Sequence, residues 1–203
     1  MLKKLSLLTT AALAVVGLTS AASAATLETG KIVLNGNVPA QCSVVNAGAP
    51  PAGDFGDTIN LGVLSDANGH LKSGLTGGSN QIGTETFEVN CTGANNTVTL
   101  LASPLATSAP APAGYANTIN YTAESDFAVA GGSPPASSPV KLIQASTVAT
   151  PLSQGLGPGV RLANPGNNIT ISAYSFNTAN TLTDVLVAGA YSGTITVTID
   201  AGA

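Results

Sequence analysis

The chain has 203 residues, carries six basic against ten acidic side chains, and is charged at only 8% of its positions. Average domains carry about 25% charged residues, so solubility here rests on Thr, Ser and Asn, which suits a surface packed against copies of itself as well as a Thr-rich extracellular domain. A nucleic-acid partner is excluded, because neutralising phosphates takes clustered Lys and Arg that the chain does not have.

Lys3 and Lys4 lead into an apolar run from Leu5 to Leu18, which closes on Ala21-Ala22-Ser23-Ala24-Ala25. This is the three-part layout of a secretory signal peptide. A helix of that run is roughly 21 Å long, too short for a hydrocarbon core of about 30 Å. Ala22-Ser23-Ala24 fits the cleavage rule, so residues 1–24 are read as a signal peptide cut after Ala24, with no membrane-spanning segment in the mature chain. Removing 24 residues from 203 leaves 179, the size of one domain, with Lys31, Lys72, Lys141 and Arg161 against ten acidic residues, a balance of −6.

Export places Cys42 and Cys91 in an oxidising compartment, where a disulfide is the default. At a sequence separation of 49 residues, loop entropy gives about 4 kcal/mol of stabilisation.

In chain order, strands are expected at Ile32 to Val38, Thr58 to Leu64, Thr84 to Cys91, Asn96 to Leu101, Asn117 to Thr122, Lys141 to Gln144, Asn168 to Phe176, Thr183 to Ala188 and Tyr191 to Ile199. The alternation is cleanest in two of them. Phe87, Val89 and Cys91 share one face near the middle of the chain, and Tyr191, Gly193, Ile195, Val197 and Ile199 share one face near its end. Breaker-rich stretches at 47–53, 74–83, 103–114, 131–139 and 155–166 separate the strands, and no helical periodicity of useful length follows the signal peptide. Many short strands between Gly- and Pro-rich turns predict an all-β antiparallel sandwich.

The sequence offers little catalytic chemistry. His70 is the single histidine and sits in the turn-like Asp66-Ala67-Asn68-Gly69-His70. The carboxylate pairs Glu85 and Glu88, and Glu124 and Asp126, fall on polar faces and read as solvated. No nucleophile elbow, phosphate loop or calcium-loop closing Glu is present. No catalytic residue, metal ligand or cofactor is therefore assigned.

Four stretches carry a family likeness: Gly30-Lys31-Ile32-Val33-Leu34-Asn35-Gly36-Asn37-Val38 running into Ala40-Gln41-Cys42-Ser43-Val44; Phe55-Gly56-Asp57-Thr58-Ile59-Asn60-Leu61-Gly62; Thr86-Phe87-Glu88-Val89-Asn90-Cys91-Thr92; and Gly189 to Ile199. In order and spacing they resemble the spore coat protein U-like pilins of the archaic chaperone-usher pathway and, more distantly, the major subunits of fimbriae. The resemblance implies an incomplete immunoglobulin-like sandwich that lacks its last strand and is completed by one donated from the next subunit. It implies a surface pilus for adhesion or biofilm, reached through the periplasm, with copies of the chain, a periplasmic chaperone and an outer-membrane usher as partners.

On this reading residues 25–38 are the donor segment and 39–203 the sandwich domain. Ile32, Leu34, Gly36 and Val38 share one parity and are proposed as plugs; Tyr191, Ile195, Val197 and Ile199 are proposed to line the acceptor groove. The leader read as the domain's own first strand stays open. So does a monomeric, secreted carbohydrate- or surface-binding sandwich, although four Tyr, four Phe and no Trp offer few sugar platforms. The C-terminus lacks the aromatic residue common in fimbrial subunits, and the segments around Pro104 to Pro112 and Pro134 to Pro139 are expected to be exposed insertions.

Overall fold

The structure is a computed structural model that describes residues 31–76, 81–132, 139–180 and 183–202. The signal-peptide reading of 1–24, the start of the leader and most of the second insertion lie outside the described residues. The chain divides into two units, Met1–Gly36 and Asn37–Ala203. In the first, Lys31 to Gly36 forms no strand ladder. The rest of this description concerns the second.

Its elements are β1 (Cys42–Asn46), the single-turn α1 (Ser73–Thr76), β2 (Ile82–Cys91), β3 (Thr97–Ala102), β4 (Leu105–Ala106), β5 (Tyr115–Ala116), β6 (Thr118–Phe127) and β7 (Val129–Gly131), then β8 (Val140–Ala145), β9 (Leu152–Gly155), β10 (Val160–Leu162), β11 (Ile169–Asn177), β12 (Val185–Leu186) and β13 (Ile195–Asp200). One sheet runs β1-β2-β11-β6, with β4 and β8 sharing the far edge of β6. The facing sheet runs β13-β3-β9. All these pairings are antiparallel, so the chain is an all-β, immunoglobulin-like sandwich. Two small ladders complete it, β10 with β7 and a parallel pair of β12 with β5.

Period-2 alternation fills the core. Phe87 and Val89 of β2, Ile119, Tyr121, Ala123 and Phe127 of β6, and Ile169, Ile171 and Ala173 of β11 turn inward against Val98, Leu100 and Ala102 of β3. At about 1.5–3 kcal/mol for each large apolar side chain removed from water, this layer is the main driving force for the fold. Two buried amides close gaps in it. Gln144 accepts from Ala102 N and donates to Thr150 O, while Asn168 satisfies both Val89 N and Val89 O where the β2–β11 ladder stops. Cys42 and Cys91 lie directly opposite each other, 4.1 Å apart at Cα, and form the disulfide that welds edge strand β1 to β2.

Several expected strands come out differently. Ile32 to Val38 forms no strand, and Thr58 to Leu64 has alternating burial at Ile59 and Leu61 but no ladder partner among the described residues. Thr183 to Ala188 shrinks to Val185–Leu186, which pairs in parallel. The last strand's continuous ladder begins at Ile195 rather than Tyr191, because the register shifts by one residue between Ile195↔Ala102 and the isolated bridge Ser192↔Ala106, beside Gly193, where a Cβ would stand 2.7 Å from Pro104 O. Short strands β4 and β10 sit inside stretches read as breakers, each a few residues held by a neighbour rather than by its own pattern.

Candidate functional site

β1 and β13 are edge strands of facing sheets, and no strand pairs with the outer edge of β13 among the described residues. Between them runs an open groove of about 620 Å³. Cys42, Val44 and the segment 51–59 with Leu61 line one side, and Gly193 to Ile199 the other. Its floor is apolar, made by Phe87 and Val89 of β2, Ile171, Ala173 and Phe176 of β11, and Tyr121 of β6.

The local sequence explains each wall. On β13, Ile195, Val197 and Ile199 face inward yet remain only half-buried, whereas the matching residues of its neighbour, Val98, Leu100 and Ala102, are fully buried. Among the described residues no strand lies beside β13 on its outer side to cover them. On the opposite side Phe55 packs on Phe87 with ring centroids 5.3 Å apart, and Ile59 lies over Gly83, where any side chain would collide with it. Gly83 also has φ of +66°, a conformation that only glycine adopts freely. These contacts hold the segment after β1 along the groove without closing it.

Tyr121 anchors one end. Its ring stacks on Phe176 at 5.5 Å and its hydroxyl donates to Thr194 O at 3.0 Å, joining the two sheets at the start of β13. Burial pushes the phenol pKa up to about 12.

The structure brings Ile195, Val197 and Ile199 together in this groove and leaves Tyr191 outside its lining. The Tyr191 hydroxyl instead donates to Ala116 O at 2.8 Å and Val187 O at 3.0 Å, and burial raises its pKa. Residues missed by sequence reasoning, Tyr121, Phe176 and Ile171, come from strands in the middle of the chain; their inward parity was legible, but which core positions sit beneath an open edge depends on strand order. In the leader, Ile32, Leu34 and Val38 are 89%, 92% and 77% exposed, and Gly36 is exposed as well.

The polar clusters are structural. Glu124 is a correction: it is 6% exposed rather than solvated. It is paired opposite Ser172 of β11 and has the outward parity of β6. Lys141 Nζ stands 2.6 Å from its carboxylate, Gln81 Nε2 donates at 3.0 Å and Tyr174 Oη at 3.1 Å. The hydrogen bond to Glu124 is the main reason the Lys141 pKa is raised, while burial leads in raising Tyr174. Asp126, 3.4 Å from Lys141 Nζ, joins the cluster. His70 is held in a turn by Asp66 Oδ1, which accepts from both Asn68 N and His70 N, and its Nδ1 donates to Asp184 O at 3.0 Å.

Among the described residues there is no group of three or more His, Cys, Asp or Glu placed to hold a metal, and no helix long and apolar enough to cross a membrane. Compared with protein-family models, curated proteins and solved structures, the chain matches none.

Proposed function

We propose that this chain is a non-catalytic subunit of a surface fibre, polymerised by donation of the leader of one copy into the groove of the next. The observation that carries this is the unfinished edge of β13: three inward apolar residues left half-covered beside an open groove, in a chain that also carries an exposed segment with apolar residues at every second position. Ile32, Leu34, Gly36 and Val38 are the plugs, spanning about 20 Å as a strand. Ile195, Val197 and Ile199 form the acceptor rail, with Phe87, Ile171 and Phe176 beneath. Main-chain hydrogen bonds along β13 supply affinity and the alternating pockets supply register, the usual division in strand addition.

Each apolar plug adds about 2 kcal/mol on burial, and a strand locked into a core leaves only when the core opens, so the polymer is kinetically stable. An open apolar edge of this kind invites aggregation before assembly. A periplasmic chaperone covering the groove and an outer-membrane usher ordering the exchange fit that hazard, as does export by a signal peptide cut after Ala24. The finished fibre serves adhesion or biofilm.

The test is a denaturing gel of material from the periplasm and the cell surface, run with and without boiling. A multimer ladder that collapses only on boiling is the expected result. A single monomer band in both lanes, with no chaperone-sized partner in the native sample, overturns the proposal and leaves the monomeric binding sandwich.

A further inference from the structure

Resting on the fibre reading, we infer that Thr92 is a positioning residue that keeps the leader from filling the groove of its own subunit. The problem is one of connectivity. The leader joins the domain just before Cys42, and Cys42 itself lines the groove, so a turn at Pro39 to Gln41 would lay the leader back beside β1 in a hairpin. An intramolecular segment on so short a tether acts at an effective concentration on the order of mM. Self-capture would therefore compete with any neighbour and end polymerisation.

Thr92, the first residue after β2, opposes that turn. Its backbone N donates to Gln41 O at 2.9 Å, continuing the β1–β2 pairing one step past the disulfide. Its hydroxyl then does two things: it accepts from Gln41 N at 3.0 Å and donates to Pro39 O at 2.8 Å. Both bonds go to backbone groups on the residues a hairpin would have to turn through. Proline contributes here as well, since it has no N–H with which to extend a ladder beyond this point. The hydroxyl thus ties the backbone of Pro39 and Gln41 to the end of β2 through one side chain. Valine at position 92 keeps the shape and the backbone bond but loses both hydroxyl contacts; serine keeps them.

The experiment compares full chains carrying wild-type Thr92, Thr92→Val and Thr92→Ser by the unboiled gel. The multimer ladder of Thr92→Val is expected to fall at least fivefold in favour of a compact monomer that resists denaturation until boiled, with Thr92→Ser restored to wild type. A Thr92→Val ladder equal to wild type overturns the inference while leaving the fibre reading intact; a wild type with no ladder overturns the fibre reading itself. To separate direction of the leader from damage to the groove, Leu34→Asp and the double variant Leu34→Asp/Thr92→Val are given a synthetic peptide of residues 31–38. Equal peptide uptake supports the inference, and loss of uptake in the double variant overturns it.

Discussion

The Tyr121 hydroxyl and the backbone oxygen of Thr194 are joined at 3.0 Å, and through them the centre of one sheet holds the first turn into β13 on the other. The buried phenol has a pH signature. Because burial raises the folded-state pKa of Tyr121 to about 12, against 10.0 for a free phenol, the unfolded chain ionises first as pH rises. Stability from this residue is whole below pH 10, declines between pH 10 and 12, and levels off above. Urea unfolding from pH 8 to 12 is expected to show that decline in wild type and to lose this component of it in Tyr121→Phe. At pH 7 the same substitution costs about 1 kcal/mol for the lost hydrogen bond.

The disulfide stands at the rim of the groove as well as in the fold. Cys42 and Val44 form part of one wall, on an edge strand of five residues that among the described residues pairs only with β2. Replacing both cysteines by serine is expected to lower stability by about 4 kcal/mol through loop entropy. It is also expected to raise hydrogen exchange at β1 far more than at β6, which is flanked on both sides. Equal exchange at the two strands would show that β1 is held by packing rather than by its covalent link.

Much of the sandwich is legible in the sequence because alternation survives wherever a strand has one wet and one dry face. β2 and β13 show this best, and their inward residues are Phe87 with Val89 and Ile195 with Val197. What alternation does not reveal is what covers a face. Glu124 has the parity of an outward residue on β6, yet Lys141, Gln81 and Tyr174 gather on its carboxylate and it is buried among them. The same limit explains Thr58 to Leu64, where Ile59 and Leu61 alternate as a strand should but no described strand lies beside them to complete a ladder. Tyr191 keeps the parity of Ile195, Val197 and Ile199 and is half-buried like them, yet its hydroxyl is held by Ala116 O and Val187 O and it lies outside the groove lining. The groove itself required strand order, since only that puts the edges of β1 and β13 on the same side of the core.

On the proposed fibre reading, donor and acceptor functions reside in separate residues, so they can be broken separately. Leu34→Asp removes a plug and leaves the groove; Val197→Asp places a charge on the inward face of β13 and leaves the leader. Each variant alone is expected to lose the multimer ladder. Mixed together, the Val197→Asp chain donates to the Leu34→Asp chain, and assembly stops at two because the resulting pair has one dead leader and one dead groove. Sedimentation or native mass spectrometry reads the outcome directly. Trimers or longer species in the mixture would show that contacts other than leader and groove hold the chains together.

Asn168 tests how far a single buried amide holds the sheet. Its Nδ2 donates to Val89 O at 2.9 Å and Ala163 O at 2.7 Å, and its Oδ1 accepts from Val89 N at 3.0 Å. It therefore replaces the ladder partners that β2 lacks beyond Phe87 and Ile169, the last register pair on that side. Alanine at this position leaves three backbone groups without partners in a buried site, each costing about 1–3 kcal/mol. A destabilisation of about 3 kcal/mol or more is expected from the denaturant midpoint at unchanged slope. Aspartate should be no better than alanine, because it keeps one acceptor, loses both donors and adds a charge to a buried site. A loss below about 1 kcal/mol in Asn168→Ala would mean that water reaches Val89, and that the inner end of β2 is more open than its burial implies.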